Sequence, residues 1–119
     1  MKMTALYERI SREDRNEGES FSILRQKEYL EAYAAANGFE NCRHYTDDGF
    51  SGRSFERPGW QQMMTDIDGG KIGTVLVKDM SRVGRDYLQT GFYTEIYFKE
   101  KDVRFIAIDS HVDNSCSDS

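Results

Sequence analysis

The sequence predicts an α/β fold: three layers, with a mostly parallel central sheet of four to five strands flanked by helices. Three observations carry this. Apolar, β-branched runs alternate along the chain with segments of helical period. The run IGTVLVK at 72–78 has the apolar continuity of a strand covered on both faces. The first two helical segments also carry matching start and stop signals. Strands joined through helices pair in parallel by right-handed crossovers.

Each element has its own reason. Residues 3–10 (MTALYERI) alternate and form the first strand. A polar loop at 12–19 follows, and Ser20 is placed to cap a helix over about 21–36 that Asn37-Gly38 ends. Residues 41–46 (NCRHYT) form a second, weaker strand, and 47–57 a long Gly/Ser/Asp loop. Pro58 suits the first turn of a helix over about 58–68, which Gly69-Gly70 stops. The third strand is 72–78, the third helix 87–100 and the fourth strand 103–108 (VRFIAI). The expected domain is 1–110. The polar tail 111–119 belongs to no element and starts a linker to a region beyond it.

Length and composition bound the function. At 119 residues the chain matches one domain by the usual prior of roughly 100–200 residues. With 38% hydrophobic and 31% charged residues it is globular rather than disordered. The longest apolar runs, IGTVLV and FIAI, are too short to span a membrane. Cys42 and Cys116 are too few for a disulfide scaffold or a structural zinc site, so a reducing cytoplasm is expected. The net charge of −5, with 16 basic and 21 acidic residues, argues against a nucleic-acid partner when taken alone. Its distribution qualifies that: ten of the 16 basic residues are arginine, several of them in loops where phosphate ligands are commonly placed.

In an open α/β sheet, ligands bind beyond the carboxyl ends of the strands. Ser11 and Arg12 lie there after the first strand, Asp47 and Asp48 after the second, and Lys78, Ser81, Arg82 and Arg85 after the third. Tyr7, Arg9 and Ser11 follow the strand period of two and share one face. They are either the outward polar residues of a half-exposed strand or a hydroxyl and its partners at the ligand edge. Arg82 and Arg85 share a helical face at i, i+3. They are either solvated cations or two guanidinium forks on one phosphate, with Gly84 allowing close backbone approach.

Gln26 aligns with Ile23, Leu30 and Tyr33 toward the sheet, as a satisfied core amide or as a support for Ser11 or an arginine. The loop DDGFSG is a plain turn or an active-site flap, and it lacks the ligand spacing of a calcium loop. The third helix carries Tyr87, Leu88, Phe92, Tyr93, Ile96, Tyr97 and Phe98. That apolar face is wider than one core stripe, so it is either well buried or partly a subunit interface.

The two histidines, His44 in mid-strand and His111 in the tail, do not suit a serine hydrolase, and no nucleotide-binding glycine motif occurs. A hydroxyl among arginines suits phosphoryl transfer without a metal or other cofactor, because arginines stay protonated and stabilise charge on the phosphate oxygens. A serine attacking a phosphodiester keeps the bond energy in a phosphoserine ester for rejoining.

Tyr7-x-Arg9-x-Ser11, Gln26, Asp47…Ser51-Gly52, Arg57-Pro58 and Ser81-Arg82-x-Gly84-Arg85, in that order over about residues 4–110, resemble the catalytic domain of the serine recombinases. The loop wording DDGFSG, RPGW and VKDMSRVGRD is most similar to the large members carried by transposons and integrative elements. The resemblance implies that Ser11 is the nucleophile and that Arg9, Arg82 and Arg85 contact the scissile phosphate. Tyr7, Gln26, Asp47 and Arg57 would support them, with Asp47 and Asp48 both open as the family aspartate. Small members have Asp where Ser81 stands, and large members commonly have Ser. The resemblance further implies a double-stranded DNA partner and a homodimer or homotetramer built through a later long helix. The chain alone is then expected to be an inactive monomer. The alternatives kept from other classes are a non-catalytic binding module of the same fold and an α/β phosphate-ester hydrolase.

Overall fold

The computed structural model describes residues 2–10, 23–48, 57–80 and 96–113. The elements are β1 (Met3–Ile10), α1 (Ile23–Ala36), β2 (Cys42–Asp48), α2 (Pro58–Asp68), β3 (Ile72–Val77), the short α3 (Phe98–Glu100), β4 (Arg104–Ala107) and β5 (Val112–Asp113). The strand order is β2-β1-β3-β4-β5. The first three pairings are parallel, and β5 returns antiparallel to β4. This is the expected three-layer α/β architecture with five strands. Among the described residues, no helix is long and apolar enough to cross a membrane.

The core divides across the sheet. Leu30 and Ala34 of α1 pack with Leu6, Leu76 and Ile106 on one face. Trp60, Met63 and Ile67 of α2 and Phe98 of α3 pack with Ala5, Tyr7, Val75 and Phe105 on the other. Residues one apart on a strand serve opposite layers, as the pleat requires. Each such large apolar side chain contributes about 1.5–3 kcal/mol when withdrawn from water. The interior strand β1 is buried from Thr4 to Ile10, so its polar residues Glu8 and Arg9 lie inside rather than outward.

Helix α1 ends as its Asn-Gly signal requires. Gly38 takes φ +79°, the Phe39 N–H reaches the Ala34 carbonyl at 2.9 Å, and the Tyr33 and Phe39 rings stack at 6.5 Å. Helix α2 begins at Pro58 and gives way to Gly69-Gly70, as read from the sequence.

Strand ends shift by a residue at β3 and β4, and two differences from expectation go further. β2 runs on to Asp48 instead of stopping at 46, because Asp47 and Asp48 pair with Arg9 and Ile10 of β1. Pairing and a buried, bonded carboxylate outweigh the loop-like composition. Within the expected tail, Val112 and Asp113 pair with Ala107 and Ile106, and Arg104 grips Asp113 through two bonds of 3.1 and 2.7 Å. Ser20, the loop at 12–19, residues 87–95 of the third helix and the end of the tail at 114–119 lie outside the described residues.

Candidate active site

The site grows from the carboxyl ends of β1 and β2 and the start of α2. Register brings them together, since Tyr7 faces Tyr45 and Arg9 faces Asp47 across the ladder. The α2 N-terminus then lies over these strand ends. Its cap residue, Arg57, is extended (φ −122°, ψ 125°) and makes no side-chain cap bond. Asp47 supplies the cap from β2 instead: Oδ1 accepts the Gly59 N–H at 2.8 Å and Oδ2 the Trp60 N–H at 2.9 Å. Pro58 has no N–H, so these are the first orphan donors of the helix. A carboxylate there also opposes the positive end of the helix dipole.

Tyr7 and Arg57 complete the knot. The Tyr7 hydroxyl donates to Asp47 Oδ2 at 2.8 Å and accepts from Arg57 Nη1 at 3.0 Å. The Arg57 guanidinium also lies over the Tyr7 and Trp60 rings, 5.7 and 5.3 Å from their centroids. The Tyr7 and Trp60 rings meet edge-on at 5.2 Å. Burial pushes the Tyr7 phenol far above its ordinary range; the Arg57 charge opposes this and Asp47 adds to it. The Tyr7 hydroxyl thus bridges Asp47 and Arg57, donating to one and accepting from the other. Gly59 is required by contact, since a Cβ there would stand 2.8 Å from the Thr46 carbonyl oxygen and 2.9 Å from Asp47 Oδ2.

Gln26 reaches the other side of β1. Its Oε1 accepts the Arg9 N–H and its Nε2 donates to the Arg9 carbonyl, both at 3.1 Å. The ladder with β3 ends at Leu6, whereas that with β2 continues to Ile10. At Arg9 the carboxamide supplies the donor and acceptor that a neighbouring strand would. It fixes the backbone two residues before Ser11. Gln26 is thus both the satisfied core amide and a support for the strand end.

The structure brings together Tyr7, Asp47 and Arg57, and joins Gln26 to Arg9. Asp47 is buried and Asp48 exposed, which separates the two aspartates. Arg9 and Arg57 are both fully buried, so Arg9 is not the outward polar residue of a half-exposed strand. Ser11, Ser51-Gly52, Ser81, Arg82, Gly84 and Arg85 lie outside the described residues.

One cluster was missed by the sequence reading. Glu8, buried on β1, accepts from Thr46 Oγ1 at 2.8 Å and pairs with His44 Nδ1 at 2.6 Å; His44 Nε2 meets Glu31 of α1 at 2.6 Å. Burial raises the Glu8 carboxyl above its usual range despite these partners. Burial works against the His44 imidazolium, but its bonds to Glu8 and Glu31 outweigh that and raise it. A glutamate between two site residues on a strand was the available signal. Among the described residues, no three His, Cys, Asp or Glu side chains are grouped to hold a metal.

The family described as "Resolvase, N terminal domain" matches residues 4–118, and the chain belongs to that family. The N-terminal catalytic domain of TP901-1 integrase is 33% identical, with 98% of this chain and 84% of that one covered and a TM-score of 0.86. A resolvase family site-specific recombinase from Streptococcus pneumoniae is 30% identical over 99% of this chain and 79% of its own, with a TM-score of 0.79. An uncharacterized immunity region protein 3 of Bacillus phage phi105 is 35% identical over 69 residues, 58% of this chain and 83% of the phage protein. Site-specific recombination is the activity of the family to which the chain belongs.

Proposed function

We propose that the protein cuts and rejoins double-stranded DNA through a covalent phosphoserine, with Ser11 as nucleophile, in the manner of the large recombinases of mobile elements. The observation that carries this reading is the pairing of Gln26 with the Arg9 backbone. It anchors the end of β1 immediately before Ser11, beside the Tyr7–Asp47–Arg57 knot.

Ser11 Oγ attacks the scissile phosphorus, and an ester bond forms as the phosphorus–O3′ bond breaks. The serine proton leaves, and a proton reaches the departing 3′ oxygen. The strand then carries its 5′ phosphate on the protein. A 3′ hydroxyl attacking that phosphoserine reverses every step and rejoins DNA without an external energy source. Arg9, Arg82 and Arg85 offset charge on the non-bridging oxygens, a role suited to permanently protonated forks. Tyr7, with its hydroxyl engaged by Asp47 and Arg57, and Asp47, with its oxygens engaged by Tyr7 and α2, act as supports. The working assembly is a homodimer or homotetramer.

The test is recombination of a plasmid bearing the two end sequences of the encoding element. Ser11→Ala is expected to abolish strand exchange and leave DNA binding intact. Exchange by Ser11→Ala rejects the serine assignment. Turnover of small phosphodiesters without strand exchange favours a hydrolase, and function unchanged in both Ser11→Ala and Arg82→Ala favours a binding module.

A further inference from the structure

Beyond β3, the chain that leads to Arg82 and Arg85 is held at several points by the turn after β4. The Ile108 N–H bonds the Val77 carbonyl at 3.0 Å and the Asp109 N–H bonds the Lys78 carbonyl at 2.7 Å, carrying the ladder past the end of β3. The Ser110 hydroxyl then accepts the Met80 N–H at 3.1 Å, two residues before Arg82. Side chains lock the same junction. Lys78 Nζ lies 3.0 Å from Asp109 Oδ2 and 3.2 Å from Asp79 Oδ2. Asp109 Oδ1 accepts the Tyr29 hydroxyl at 2.5 Å. Tyr29 stands on α1 at i+3 from Gln26, on the same side of the helix.

We infer that Asp109, with Lys78 and Ser110, is a positioning device: it sets the stem of the Arg82–Arg85 segment relative to the helix that anchors β1 before Ser11. One carboxylate ties three elements together. Oδ1 holds α1, Oδ2 holds the lysine that follows β3, and the adjoining Ser110 holds the backbone at Met80. A shift of this turn moves the arginine stem and the Gln26 helix relative to one another. Lys78 Nζ also lies between the Asp79 and Asp109 carboxylates and offsets the charge of both. The side chains of Lys78 and Asp109 are partly exposed, 16% and 41%, so their ion pair contributes little to global stability. Alignment of reacting groups is far more sensitive, and a misplacement of about 1 Å can cost on the order of a hundredfold in rate.

The inference rests on the proposed roles of Ser11 and Arg82, so those two are included in its test. The whole protein is mixed with a supercoiled plasmid bearing the end sequences of its element, and covalent protein–DNA adducts are timed at rising DNA concentration. Asp109→Asn and Lys78→Met are expected to lower the saturating rate about tenfold or more. The half-saturating DNA concentration and the thermal midpoint stay near those of the parent. Lys78→Arg restores most of the rate, and the double variant is no slower than the worse single one, because both disturb one contact. Parent-like rates in Asp109→Asn and Lys78→Met overturn the inference. So does a loss that follows the folded fraction or that Lys78→Arg fails to rescue. If Ser11→Ala and Arg82→Ala abolish adducts while Asp109→Asn does not, only the positioning role fails. If Ser11→Ala still forms adducts, the reading of the site fails first.

Discussion

Tyr7 and Asp47, forty residues apart, share a 2.8 Å hydrogen bond, and the same carboxylate caps the helix that starts at Pro58. A residue expected to support chemistry is therefore also what fastens α2 to the sheet. Asp47→Ala leaves the Gly59 and Trp60 N–H groups and the Tyr7 hydroxyl without their acceptor. It is expected to lower unfolding free energy by about 3 kcal/mol, measured by urea titration. A loss under about 0.5 kcal/mol contradicts the cap assignment.

Gly59→Ala tests the same junction sterically. Alanine favours a helix interior by up to about 1 kcal/mol over glycine. Here the added methyl meets the Thr46 carbonyl oxygen and Asp47 Oδ2 inside contact distance. Overpacking costs about 1–3 kcal/mol. A lower thermal midpoint is expected, and a higher one would mean that α2 can move away from β2 freely.

Gln26→Leu keeps the volume and removes the two bonds to Arg9. Leaving that backbone N–H and carbonyl unpaired in the core is expected to cost about 2–4 kcal/mol. Amide exchange at Arg9 should accelerate more than at Leu6. Equal exchange at both positions would place the anchor of β1 elsewhere.

The Glu8–His44–Glu31 chain makes stability depend on pH. His44 is raised above its ordinary 6.5, so it binds a proton more tightly folded than unfolded. Its contribution is fully present below pH 6.5 and is lost as pH rises through the folded value. Glu8, also raised, acts with the same sign in a window that starts lower, above its ordinary 4.5, with Lys27 opposing its shift. Unfolding free energy is therefore expected to fall as pH rises above 6.5. Glu31→Gln, at an exposed position, should flatten that slope. An unchanged slope in the variant would remove Glu31 from the account.

Much of this was legible in the sequence because it depends on local rules. Met3–Ile10 and Pro58–Asp68 were bounded by alternation, a proline and a glycine pair, and all three act within a few residues. Tyr7, Gln26, Asp47 and Arg57 stood out as a pattern along the chain. What the pattern did not contain was their direction. That β1 is buried from Thr4 on, that Gln26 grips backbone rather than a side chain, and that Asp47 caps a helix that starts eleven residues later all depend on how β1 packs and pairs with elements far along the chain. Glu8 and His44 escaped notice for the same reason, since Glu8 lies opposite Thr46 only after the strands pair, one residue from Tyr45 and two from His44.

The most direct measurement is the site of DNA attachment. Trapped protein–DNA adduct is digested with nuclease and protease, and the phosphate-bearing peptide is sequenced by mass spectrometry. A 5′-linked nucleotide on Ser11 is the predicted result. A linkage on any other side chain, or on the 3′ phosphate, contradicts the account.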